Sequence, residues 1–168
     1  MPKICDNKSV GVVVREGDNF VMILRKTVPI AYAFVAGHCD GQPFSATAVK
    51  ELAEESGLHA TGMELRLKDT FGNPCKREGG SWHEWEVYRA THWSGALRDE
   101  PGKTEVSWKS LVELQALAER TKAFAEKLEI PIYDLFQITQ ALQQDPAWLE
   151  NPGLEPIWVM ILERIAIL

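Results

Sequence analysis

Apolar positions along the chain fall first in β-branched runs between turn formers and later at helical spacing. "KSVGVVVREGDNFVMILRK", residues 8–26, places two such runs around the turn-forming "EGDN" and predicts a hairpin. "AYAFVAG" predicts a short strand that leads into a glycine-bearing loop, and residues 43–56 predict a helix stopped by Gly57. A further strand is expected from about Met63 to Phe71, followed by the turn-rich loop "GNPCKREGG", residues 72–80. "SWHEWEVYRATHW" predicts a strand, and "TEVSWKSLVELQAL" a short strand passing into a helix. Strands mixed with helices in this order suit an α+β sandwich. After Arg120 the pattern becomes helical. "TKAFAEKLEI", "PIYDLFQITQALQQ" and "EPIWVMILERIAIL" predict three helices divided by Pro131, Pro146, Pro152 and Pro156, with "DPAWLENPGLEP" as a long connection. The chain is therefore expected to comprise a domain over residues 1–120 and a C-terminal helical extension over residues 121–168 packed on it. The last helix is apolar on several sides and too short for a bilayer. Docking on the chain's own core is the favoured reading, with a homodimer contact as the alternative.

The helix at 43–56 is built against its own electrostatics. Glu51, Glu54 and Glu55 crowd its last two turns, where like charges repel and the helix dipole is already negative. At about 100° per residue, with Glu51 at zero, Glu54 falls near −60° and Glu55 near +40°. The three carboxylates thus share one arc, and Ala46, Val49, Leu52 and Ala53 are expected on the opposite, core-facing side. Converging carboxylates are what a hard divalent cation such as Mg²⁺ requires. A solvated acidic face is the plainer reading of the helix alone.

The flanking residues favour the metal. "FVAGHCDGQPFSATAVKELAEESGL", residues 34–58, resembles the Nudix box: Gly, five residues, Glu, seven residues, then Arg-Glu-aliphatic-x-Glu-Glu-x-Gly-aliphatic. Glu51, Leu52, Glu54, Glu55, Gly57 and Leu58 match in register. The box is degenerate over residues 37–58. Lys50 stands at the Arg position, Gln42 at the loop Glu position, and the loop is one residue short when Gly37 is taken as the glycine. The resemblance covers roughly residues 8–118. It implies a Nudix-type α/β/α sandwich with a mixed central sheet. It also implies a metal-dependent hydrolase that cleaves the pyrophosphate bond of a nucleoside diphosphate derivative or nucleoside triphosphate.

Carried over by motif position, Glu51, Glu54 and Glu55 become ligands of Mg²⁺ or Mn²⁺, with the Gly37 carbonyl as a further ligand. Glu55 is the first choice of general base, Glu54 also serving, and Lys50 and Gln42 support the site. Many members of the family use a later acid. Glu105, which precedes Trp108 as that family's acid precedes a Trp, is the candidate, with Glu100 in reserve. Arg25, Lys26 and Arg77 are placed as substrate-binding residues, Arg25 because it ends an apolar run where a barrel-like face would open. Trp85 is read as core rather than as a base-stacking surface.

Composition and charge narrow the partners. The chain has 168 residues, 45% hydrophobic and 25% charged, as in a globular domain with a sizeable core. A net charge of −6 argues against general nucleic-acid binding and against an anionic membrane surface. The expected partner is a small nucleotide-type substrate reached through metal. No secretory leader pattern is visible and Cys5, Cys39 and Cys75 are odd in number, so a reducing cytoplasm is expected.

Two rivals share the fold. One is a ligand-binding or sensor domain with weak or no turnover, favoured by Gln42 and Lys50. The other is an isomerase using Cys39 with a Glu. A last expectation concerns Cys5, Cys75 and His83, two thiols and an imidazole that a β-sheet would bring together. They suit Zn²⁺, with Asp6 or water as the fourth ligand. The spacing is not that of a zinc finger, and unrelated side chains are the commoner outcome.

Overall fold

The computed structural model describes residues 3–168. Its strands form two sheets because the first apolar run does not fold back on the second. β1 (Lys8–Val13) runs between β5 (Val35–His38), antiparallel, and β7 (His83–Ser94), parallel; β6 (His59–Phe71) completes this sheet beside β7. β1 is buried from Ser9 onward, as expected of a central strand covered on both faces. The second sheet centres on β3 (Asn19–Arg25). It is flanked on one side by the two-residue strands β2 (Arg15–Glu16) and β4 (Tyr32–Ala33), and on the other by β8 (Thr104–Ser110). The expected hairpin over 8–26 is thus confined to β2 and β3. "AYAFVAG" likewise splits at Phe34, giving β4 to one sheet and β5 to the other. Both breaks fall where the chain crosses between sheets, which is how short strands serve two layers.

α1 (Phe44–Ser56) ends at Gly57, whose φ of 79° closes the helix through an N–H donated to the Ala53 carbonyl at 3.0 Å. α2 (Leu111–Lys127) begins at a capping box. Ser110 accepts from the Glu113 amide, and the Glu113 carboxylate accepts from the Ser110 amide. The helix expected at "TKAFAEKLEI" is the second half of α2, which continues past Arg120 because no Pro or Gly interrupts it. α3 (Leu135–Gln143) and α5 (Pro156–Arg164) lie where helices were expected. The long connection between them contains the short α4 (Pro146–Glu150), started by the Asp145 side chain and Pro146.

α5 completes the core. Ile157, Trp158, Val159, Ile161 and Leu162 join Val10, Val12, Phe20, Phe34 and Leu52 in one buried cluster. Trp158 stacks on Phe34 at 5.0 Å and edge-on to Trp85 at 6.0 Å. Its ring lies against Gly11 of β1, where an added Cβ would sit 2.4 Å from the indole. Gly11 is therefore the opening through which the last helix enters the sheet. Among the described residues no helix is long and apolar enough to cross a membrane.

Candidate active site

α1 does not present opposed apolar and acidic faces. Its buried residues are Thr47, Ala48, Leu52 and Ser56, while Ala46 and Val49 are exposed and Ala53 is half-buried. On the wheel used above the buried arc runs from about −40° to about 140°, and it contains Glu51 and Glu55. The acids lie on the side that packs against the sheets. Of the four residues read from sequence as the core side, Leu52 is buried, Ala53 is half-buried, and Ala46 and Val49 face solvent. Small and hydroxylated side chains give this inner face its close approach to β5 and β1, a feature that hydrophobicity alone does not register.

Burial explains the electrostatics that made the helix odd. Glu55 is half-buried and its Oε2 is fully enclosed without a hydrogen-bond partner. Desolvation, then the neighbouring Glu51 charge, raise its carboxyl well above the usual range, against the pull of Arg25. Burial first and Glu54 second push Glu51 up to about 7. Gly37 of β5 makes room for this carboxylate: a Cβ there would lie 2.2 Å from the Glu51 Cδ. Glu54 is exposed at the rim, where Lys50 approaches it to 3.9 Å. An enclosed carboxylate oxygen with no partner, a second carboxylate seated over a glycine backbone and a third at the edge are hard oxygen donors under mutual repulsion. That donor set fits a divalent cation such as Mg²⁺ or Mn²⁺.

A cavity of about 350 Å³ opens beside these acids, with Gly37 and Glu55 on one wall. Arg25 and Arg77, from the substrate-binding set, reach it, and Lys76 stands beside them. Arg25 is half-buried at the end of β3 and donates its Nε to the Pro29 carbonyl at 3.0 Å. Arg77 is held by Asp40, which also pairs with Lys3 at 2.7 Å; the Arg77 contact, more than that of Lys3, keeps the Asp40 carboxyl down at about 2. Lys26 is exposed and pairs with Glu105 across β3 and β8. Glu105 is thus engaged in an ion pair. It is Glu100, paired with Lys103 at 2.8 Å, whose charge raises both Glu51 and Glu55. Gln42 and Lys50 are both exposed around a shallow hollow at the start of α1.

Sequence reasoning missed Glu155. It stands at the N-terminus of α5, lines the cavity, and has its carboxyl raised by burial against the opposing effect of Arg25. Nothing in "PGLEP" marks it, because its place depends on a helix far along the chain. Trp85 is buried core, as read. Cys39 is also packed in the core, and burial pushes its thiol up to about 11. An inert, enclosed thiol removes the isomerase reading.

A family model described as the NUDIX domain matches residues 6–130. A search of curated proteins gives no match. Solved structures of similar fold include a MutT Nudix hydrolase from Burkholderia pseudomallei, 22% identical over 63% of this chain and 84% of that one, with a TM-score of 0.55. A Nudix hydrolase from Nitrosomonas europaea is 15% identical but spans 94% of this chain and 90% of its own, with a TM-score of 0.54. An ADP compounds hydrolase is 18% identical over 69% of this chain and 63% of its own, with a TM-score of 0.52.

Proposed function

The chain belongs to the Nudix family of hydrolases, and from that premise we propose that it cleaves the pyrophosphate bond of a nucleoside diphosphate derivative or nucleoside triphosphate with the help of Mg²⁺ or Mn²⁺. The observation that carries this reading is Glu55, with an enclosed, partnerless Oε2, on the wall of a cavity that Arg25 enters from the end of β3. Glu51, Glu54, Glu55 and the Gly37 carbonyl would hold the cation. When bound, it supplies positive charge to the pyrophosphate oxygens and acidifies water.

The chain's own residues do the rest. Arg25 and Arg77 draw the phosphate chain into the cavity, and Arg25, fixed by the Pro29 carbonyl, orients it. The Glu55 carboxylate takes a proton from the attacking water, and the oxygen of that water bonds to phosphorus. The bridging P–O bond breaks, and the leaving phosphate departs with the electron pair. Glu100 and Glu105 are the later acids available to assist; Glu100 is favoured because its charge reaches Glu51 and Glu55. Binding without turnover is the second reading, supported by the distant Lys50–Glu54 contact and the exposed Gln42.

Phosphate and pyrophosphate release, measured with Mg²⁺ or Mn²⁺ across ADP-linked compounds, dinucleoside polyphosphates and oxidised nucleoside triphosphates, tests both. Turnover on at least one class supports the enzyme. Saturable binding with no release on any class supports the sensor instead.

A further inference from the structure

A second cluster of donor atoms lies in the same region and contains none of the glutamates. Cys5, just before β1, His38, at the end of β5, Cys75, in the 72–82 loop, and His83, the first residue of β7, each offer one atom within 4.8 Å of all the others. We propose that these four residues bind a zinc ion, a structural site that fastens the N-terminal segment and the 72–82 loop to the sheet beside the cavity. This inference does not rest on the hydrolase reading.

The geometry is close to what zinc takes. Zn–S bonds of about 2.3 Å and Zn–N bonds of about 2.0 Å put tetrahedral ligands roughly 3.3–3.8 Å apart. The Cys5 Sγ and His83 Nε2 already stand at 3.3 Å, and the remaining separations, all within 4.8 Å, need a contraction of about 1.5 Å at most. Two thiolates and two imidazoles select zinc over the hard cations suited to the glutamate site. The two thiolate charges would offset the two positive charges of the zinc ion, the imidazoles being neutral, so the assembly would be neutral. A neutral cluster is easier to bury than an isolated thiolate or ion.

The surroundings are arranged for ligation. The Asn7 amide donates to Cys5 Sγ at 3.3 Å, and the Arg77 amide to Cys75 Sγ at 3.4 Å, two residues on in each case. Amide N–H groups aimed at sulfur stabilise thiolates. Gly80 clears the space for Cys75: a Cβ there would lie 2.0 Å from its Sγ. His83 Nδ1 lies 3.0 Å from the Asn73 Oδ1, which puts the proton on Nδ1 and leaves the Nε2 lone pair facing Cys5. His38 Nε2 is buried without any partner. Asp6, expected from sequence as an alternative to water for the fourth ligand, is engaged by the Lys8 and Gly41 amides, and His38 stands in that place. The site would hold Lys76 and Arg77 at the cavity wall, since both follow directly from Cys75.

The decisive experiment is elemental analysis of the full chain, purified under reducing conditions without a metal-affinity column or added metal. The expected result is about one zinc per chain, retained through a brief EDTA treatment that strips Mg²⁺. Cys5 and Cys75 should resist thiol reagents in the folded protein and release zinc when a mercurial attacks them. Cobalt exchanged into the site should give the intense visible bands of a tetrahedral sulfur-nitrogen complex. Those bands should weaken or shift in Cys75→Ser and in His38→Ala; if either variant fails to fold, the zinc content and thiol protection of the unaltered chain still decide the matter. Zinc near zero with Cys5 and Cys75 freely reactive overturns the proposal. So does a Cys5–Cys75 disulfide in place of metal, or full zinc retention in both variants.

Discussion

The side chain that most concentrates the chemistry is Glu55, because its enclosed oxygen has nothing to bind within the protein. Glu55→Gln should lower turnover by about 10²-fold or more, with the fold kept. It should also raise the melting temperature of the metal-free protein at neutral pH, since an amide carries no charge to bury. Rate assays and thermal melts on the same preparation check this; turnover equal to the parent chain removes Glu55 from the mechanism. Glu51 yields a pH signature. Its carboxyl titrates near 7 when folded, against an ordinary value of 4.5. The folded state therefore holds more protons at this group than the unfolded one between those values, so the contribution of Glu51 to metal-free stability is fully present below about 4.5 and is lost as pH rises through 7. Glu55, raised by burial and by the Glu51 charge, acts in the same direction. Melting temperature measured from pH 5 to 8 should drop without metal, by several degrees, and the drop should shrink when Mg²⁺ is present. A flat metal-free profile would contradict the burial of these acids. That they are acids in a metal-binding pattern was legible in "KELAEESGL". That they face inward was not, because Ala48, Thr47 and Ser56 form the core side without being strongly apolar.

At the scale of the element, α1 and β5 act as a pair. Gly37 permits Glu51 to lie across the strand, and the atoms that an added methyl would meet are at the end of a flexible side chain. Gly37→Ala should therefore displace the carboxylate and leave the strand in place. Magnesium affinity, read by calorimetric titration, should fall at least several-fold while unfolding free energy changes by less than about 1 kcal/mol. Equal affinity would mean that Glu51 does not need its present position. The elements themselves were readable where propensity and punctuation agreed: the Gly57 stop of α1, and the prolines that divide the C-terminal helices and open α5 at Pro156. They were misread where the chain changes sheets. A β-branched run such as "VGVVV" says strand but not which neighbour it pairs with, so β1 was assigned to a hairpin with β3 instead of a place between β5 and β7. The Cys5, His38, Cys75 and His83 cluster was only partly visible for the same reason. Its four members come from four segments, and His38 enters through a pairing of β5 with β1 that spacing does not encode.

Across the whole molecule, the segment beyond the family-model match is part of the core and of the cavity wall, through Trp158 and Glu155 respectively. Ending the chain after Asn151 should give an insoluble or strongly destabilised protein, and Trp158→Ala should cost about 3–5 kcal/mol in urea unfolding. A truncated chain that is monomeric, stable and active would show that α5 serves a partner surface instead. The meeting of Gly11 with Trp158 has a further consequence in time. The notch in β1 at Gly11 and the ring from Trp158 that fills it lie at opposite ends of the element order, so the slot is made long before its filling. Until then the sheet carries an apolar slot open to whatever is nearby. Sealing of the core therefore waits on one contact of long sequence separation, and the apolar slot stays exposed until that contact forms.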